Sequence, residues 1–596
     1  MKEFGKYVLA TVVGLIITLI VCAIVGVMSV VGIVASSEST KNVSDNSILA
    51  INLNGVVSEQ SADNILGQLT GGQADQIGLN DILSAIKKAK TNDNIKGIYL
   101  DAGVLEAGYG TLLEIRNALE DFKASKKWIV AYGDSYTQGA YYLSSVADKV
   151  YLNPSGELDL HGIASQSVYV KDLYAKFGIK YQIIKVGKYK SATEVYSEDH
   201  MSDANREQVT AFVTGIWNNI CKGISKSRNI SVDSLNSYSD QLTAMMAQED
   251  LKAKKLVDGL LYHDEIKAEI KKRLGLEEDD AIEQLSVTDM RNVKDSKKTG
   301  EEIAVYYASG NIVSTPLQGI MNIGASQIVG NKVSKDLEDL MNDDDVKAVV
   351  LRVNSPGGDA YASEQIWRQV VRLKEKKPVV VSMGDYAASG GYYISCGASW
   401  IVAQPTTLTG SIGIFGVIPE GSELMKDKLG LHFDGVSTNR HADMFASMYG
   451  MPIRPFNTEE TQLLQGYINR GYALFRKRVS DGRKQSVDAI ENIAQGHVWL
   501  GQDAIGIKLV DQLGGIDDAV KKAAELAKLD KYYTEEYPAP AGLMDQLMDA
   551  SSESDNYLND KLKVVMGDWY LPFMYLKSVK DQSPVQASIP YIIRMY

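Results

Sequence analysis

The sequence predicts an α/β protein in which one α/β unit occurs twice, in tandem, behind an amino-terminal transmembrane helix. Three observations carry this. NIKGIYL (94–100) resembles DVKAVVL (345–351), and YGDSYTQGAYYL (132–143) resembles MGDYAASGGYYI (383–394); in both pairs the second member follows the first by 251 residues. One offset shared over such a span is the mark of an internal repeat. Short Val/Ile-rich runs lead into glycine or small residues and then into a new apolar pattern, which reads as strand, tight turn and helix start. Finally, no charge occurs between Lys6 and Glu38, and Tyr7–Ala35 is almost entirely Val, Ile, Leu, Ala and Gly. A bilayer core needs about 20 apolar residues as a helix, and the run is longer than the roughly 7–15 residues of a signal peptide's apolar region.

Taken in order, Lys2 and Lys6 flank the amino end and place it in the cytoplasm, so everything after about residue 36 lies outside. The expected organisation is a cytoplasmic end and anchor (1–36), a polar tether (37–46), a first repeat (47–297), a second repeat (298–540) and a tail (541–596). ILAINLNGVV (Ile48–Val57) opens the first copy as IAVYYASGNIV (Ile303–Val313) opens the second, with the charged stretch Glu277–Glu302 as the expected linker. The tail carries Trp569, Tyr570, Phe573, Tyr575, Tyr591 and Tyr596, which suits packing between subunits, a membrane surface, or a helix docked on its own domain.

Bulk composition narrows the function. A chain of 596 residues exceeds one core. With 62 Lys and Arg against 75 Asp and Glu, the net charge is −13, which argues against nucleic acid as a partner. Cys22, Cys221 and Cys396 form no disulfide framework. The six histidines have no ligand spacing and H-E-x-x-H is absent, so no metal and no cofactor is expected.

The chemistry points to two turns. In VVVSMGDYAASGGYYIS (Val379–Ser395) a serine, Ser389, stands at the head of a helix whose first N–H groups are free to donate to an oxyanion. In VKAVVLRVNSPGG (Val346–Gly358) a strand runs into Gly357–Gly358, whose amides can face a ligand. The first copy carries Gln138 in place of the serine and Glu106–Ala107 in place of the double glycine. Residues needed only for the turns would be needed in both copies, so the asymmetry marks Ser389 as chemical. A neutral serine also needs a base. In the second copy His432 and His441 have no recognisable partner; in the first, Lys190 follows a strand (Tyr181–Val186) that breaks at Gly187, beside Lys185 and Lys188. Residue chemistry alone leaves the base open.

The anchor, the duplicated unit, NSPGG (354–358), SMGDYAASGGYYIS (382–395), TGSIGIFG (409–416) and KVGKYKSA (185–192) together resemble the long, duplicated form of the bacterial signal peptide peptidase (protease IV) family, over nearly the whole chain. The resemblance implies a relative of the Clp protease and crotonase folds and a Ser–Lys serine peptidase. Ser389 would be the nucleophile, Lys190 the general base and Ser411 the residue that holds the lysine, with the oxyanion hole made by the amides of Gly390, Gly357 and Gly358. It also implies signal-peptide remnants and other apolar peptides as substrates, a ring-like homo-tetramer, and a single-pass protein of the bacterial inner membrane with its catalytic part outside the cytoplasm. Asp385 departs from the expected small or neutral residue and would sit in the substrate channel or point to solvent. The competing classes are a crotonase-like acyl-CoA enzyme, which the anchor disfavours, and a silent membrane-tethered scaffold.

Overall fold

A computed structural model describes residues 41–61, 77–293, 298–316, 326–448, 451–539 and 585–588, with Lys6, Gly14, Thr18 and Val21 as isolated positions. The Tyr7–Ala35 segment expected to span the membrane therefore lies almost entirely outside the described residues, among which no helix is long and apolar enough to cross a membrane.

The two copies build two mainly parallel sheets. In the first, β1 (Ser47–Ser58), β2 (Ile95–Glu106), β3 (Trp128–Tyr136) and β4 (Lys149–Leu158) lie side by side in that order, all parallel. Helix α1 (Tyr109–Phe122) links β2 to β3, and α2 (Gln138–Ser144) links β3 to β4. Strand β5 (Lys180–Lys185) and the long helix α3 (Asp203–Arg228) follow. The second copy repeats the plan: β6 (Glu301–Ser309), β7 (Val346–Ser355), the short β8 (Gly357–Asp359), α4 (Ala360–Lys376), β9 (Val379–Ala388), α5 (Gly390–Ser395), β10 (Leu408–Gly410) and β11 (Phe415–Glu420). On the far edge β12 (Tyr532–Tyr537) pairs with β6.

Continuous apolar runs are what a parallel strand covered on both faces requires. Along β7, Val349, Leu351 and Val353 enter the core beneath α4, with Ile366, Val370 and Leu373, while Ala348 and Val350 enter a second core with Ala519, Val520 and Ala523 of helix Ile516–Ala527. The first copy does the same: Ile129 and Ala131 of β3 face one core, and Val130 and Tyr132 meet Ile266 and Ile270 on the other side.

Two expectations need correction. Part of the stretch expected as a linker is built into the first copy, because Gln284–Leu285 pairs with β1 and Val287–Arg291 is helical with Val287 and Met290 in the core. The tether is docked from Lys41 onward, where Lys41 bridges to Val293 and its amine pairs with Asp289. Of the tail only Val585–Ser588 is described: it forms β13, a strand between β8 and β11, antiparallel to both. The aromatic residues of the tail lie outside the described residues.

Candidate active site

A mixed sheet joins the copies at the site. First-copy β5 pairs antiparallel with second-copy β11, from Lys185 opposite Phe415 to Lys180 opposite Glu420. Beyond β5 the chain stays fastened to the second copy: Val186 N–H donates to the Ile414 carbonyl (3.3 Å) and Tyr189 N–H to that of Gln495 (2.9 Å). Gly187, at φ 105°, lies so near Gln495 that a Cβ there would fall 2.4 Å from its carbonyl oxygen. Gln208 of α3 locks the loop, donating to the Tyr189 carbonyl (3.1 Å) and accepting from Val498 N–H (3.1 Å).

The next residue, Lys190, is 1% exposed. Its Nζ donates to Ser389 Oγ at 2.8 Å, to Ser411 Oγ at 3.0 Å and to the Ser411 carbonyl at 3.2 Å. Its stem passes glycines where side chains would collide: a Cβ on Gly496 would sit 2.7 Å from Lys190 Cβ, and one on Gly413 3.1 Å from Cδ. The Phe415 ring lies 5.8 Å from Nζ. Burial alone, with no carboxylate to oppose it, pushes the ammonium down to about 7.

Ser389 is fully buried and takes φ 54°, ψ −112°, a region that L residues rarely adopt. Its N–H donates to the Gly410 carbonyl (2.8 Å) and its carbonyl accepts from Tyr393 (2.8 Å), so the strained turn is held from both sides. Gly390 follows as the first residue of α5, where no helical carbonyl reaches the N–H. Gly391 allows close approach to the other turn, since a Cβ there would lie 2.6 Å from the Ser355 carbonyl oxygen. Gly357 and Gly358 have φ 104° and 155°, and a Cβ on Gly358 would fall 2.0 Å from the Ile312 carbonyl oxygen. Gly357 N–H donates to Ser355 Oγ at 3.2 Å. The structure thus gathers Ser389, Lys190 and Ser411 by direct hydrogen bonds, with Gly390 adjoining the serine. His432 and His441 are not among their partners; His441 instead faces Glu459 and Glu460.

Asp385 does not point freely to solvent. Its carboxylate accepts from Thr111 N–H and Oγ1 (both 2.8 Å), near the start of α1, and from Asn354 Nδ2 (3.2 Å). Beside it, fully buried Arg352 donates to Glu59 (2.8 Å) and Glu114 (2.9 Å), both first-copy residues. Sequence reading missed this cluster, although an arginine inside the apolar run AVVLRV is itself a signal: a buried guanidinium needs buried carboxylates.

The model of peptidase family S49 matches twice, over residues 121–277 and 371–530. Protease 4 of Salmonella typhi is 38% identical over 569 residues, covering 92% of this chain and 89% of that protein. Protease 4 of Haemophilus influenzae is 33% identical, covering 82% and 80%. The chloroplastic serine protease SPPA of Arabidopsis thaliana is 31% identical, covering 81% and 69%. Among solved structures, a ClpP1 mutant from Listeria monocytogenes matches at 15% identity with a TM-score of 0.24, covering 36% of this chain and 94% of that one.

Proposed function

The chain belongs to peptidase family S49 and is a serine peptidase, and from that premise we propose that it cuts apolar peptides with a Ser389–Lys190 dyad drawn from its two copies. The observation that carries the reading is the 2.8 Å bond between Lys190 Nζ and Ser389 Oγ in a buried pocket. An unperturbed lysine titrates near 10.4 and would be charged at neutral pH. With burial bringing Lys190 to about 7, a substantial fraction is neutral and able to act as a base.

Neutral Lys190 takes the Ser389 proton as Oγ attacks the peptide carbonyl. The oxyanion is met by Gly390 N–H at the head of α5 and by the Gly357–Gly358 amides, with Gly357 giving up its bond to Ser355. The C–N bond then breaks and the Lys190 ammonium returns its proton to the leaving amine. Water repeats the sequence to release the acyl group. Ser411, accepting from the amine through both its hydroxyl and its carbonyl, keeps one lone pair aimed at Ser389.

Substrates enter extended. The slot between β8 and β11, which β13 fills, is one strand wide and offers edges on both sides. Within this proposal the repeats are Clp/crotonase-like units, the Tyr7–Ala35 segment anchors the chain in the bacterial inner membrane, the catalytic part lies outside the cytoplasm, the substrates are signal-peptide remnants, and the assembly is a homo-tetramer.

The test is hydrolysis of an apolar signal-like peptide by the full chain in lipid nanodiscs. Wild type cuts, and Ser389→Ala and Lys190→Ala are inactive while still folded, each with a cooperative melting transition. Cleavage that survives in Ser389→Ala contradicts the assignment; cleavage that survives only in Lys190→Ala removes the dyad and leaves the serine.

A further inference from the structure

The oxyanion turn and the Ser389 turn sit on neighbouring strands whose pairing is interrupted between them. Val353 of β7 pairs with Met383 of β9, yet two residues on, Ser355 pairs with Ala387. Asn354 alone therefore opposes Gly384, Asp385 and Tyr386, a bulge that re-aims the strand leading to the nucleophile. The Asn354 side chain closes the gap. Its Oδ1 accepts from Tyr386 N–H (3.1 Å), and its Nδ2 donates to Glu59 Oε1 (2.7 Å) and Asp385 Oδ2 (3.2 Å).

Both carboxylates are tied to the first copy. Glu59 belongs to it and is held by Arg352, and Asp385 is held by Thr111. Space is made for this contact, since a Cβ on Gly384 would fall 2.7 Å from Glu59 Oε1. At the matching first-copy positions Gly103 stands where Asn354 does, and Asp134, the counterpart of Asp385, accepts instead from Tyr132 OH and Asn153 Nδ2 (both 2.8 Å).

We propose that Asn354 is a positioning residue for the oxyanion turn, oriented by Glu59 of the first copy and by Asp385, so that the first copy sets the oxyanion hole as well as supplying the base. The proposal rests on the dyad reading above. Two carboxylates facing one amide fix its direction: only the NH₂ group can turn toward them, which leaves Oδ1 for Tyr386.

Asn354→Asp keeps the shape but sets a third carboxylate against the other two. In the full-length enzyme it lowers kcat at least about thirtyfold with KM within about twofold, slows labelling of Ser389 by a fluorophosphonate to the same degree, and leaves the midpoint of the pH–rate profile unmoved. Adding Glu59→Gln, whose amide can donate to the new carboxylate, restores at least about fivefold. Asn354→Ala serves as the uncharged variant should Asn354→Asp not fold, and lowers kcat about tenfold. The proposal is overturned if the folded variants keep kcat within twofold of wild type, if KM rather than kcat carries the loss, or if Glu59→Gln gives no recovery in the double variant. Ser389→Ala and Lys190→Ala, run alongside, separate this from failure of the dyad itself, in which case those two would remain active.

Discussion

The same strand-to-helix turn occurs twice in this chain, and the proposed dyad gives chemistry to only one of them. In the first copy the strand-to-helix turn carries Gln138, whose backbone stays out of the left-handed region. The buried amide is spent on structure: Oε1 accepts from His161 N–H (3.1 Å) and Gly162 N–H (3.0 Å), and Nε2 donates to the Gly162 carbonyl (3.0 Å). In the second copy Ser389 is held at φ 54° with its hydroxyl on a buried amine. Strain at such a residue costs about 1–3 kcal/mol, and a buried lysine costs more. The first copy shows what the fold prefers when no reaction is asked of it.

Substitutions can break this comparison, and the largest effects fall on the reactive turn. Ser389→Ala and Lys190→Ala each lower kcat/KM by about 10⁴-fold or more, the scale seen when members of a nucleophile–base pair are removed, whereas Gln138→Ala changes it by less than about twofold; peptide hydrolysis decides both. Gly358→Ala forces a Cβ into the Ile312 carbonyl at a left-handed φ, and costs about a hundredfold in kcat, on the scale of a lost oxyanion donor. Ala107→Gly at the matching first-copy position leaves kcat unchanged.

Stability sharpens the comparison in the opposite sense. The folded pKa of Lys190 is depressed to about 7, while the unfolded value is near 10.4. Between these the unfolded chain binds more protons, so stability rises with pH through that window, and at or below pH 7 the buried lysine carries a penalty of about 4–5 kcal/mol. Lys190→Met thus melts higher than wild type at pH 7, and the difference shrinks by pH 10; equilibrium denaturation at both values measures it. Gln138→Ala leaves two backbone amides without their partner and lowers stability by about 1–3 kcal/mol, the smaller of the two stability effects.

Much of this was legible before any coordinates. The 251-residue offset places both α/β copies, and the exchange of Ser389 for Gln138 and of Gly357–Gly358 for Glu106–Ala107 singles out the turn on which the proposed dyad rests. What local sequence does not carry is contact across the copies. Lys190 read as one lysine among three, because its burial depends on Gly413, Gly496 and Phe415, more than 200 residues away. The pairing of Asp385 is hidden for the same reason: its partner Thr111 comes from the other copy. β13 was missed because a strand of four residues that pairs in a slot far along the chain has little local signal of its own.

The most direct test of the cross-copy dyad is the pH dependence of fluorophosphonate labelling of Ser389, in wild type and in Lys190→Ala. The base must be neutral, so in wild type the rate rises about tenfold per pH unit below a midpoint near 7 and levels off above it. In Lys190→Ala the residual rate is far lower and that midpoint is gone. A midpoint near 7 that persists without Lys190 would mean that another group takes the proton.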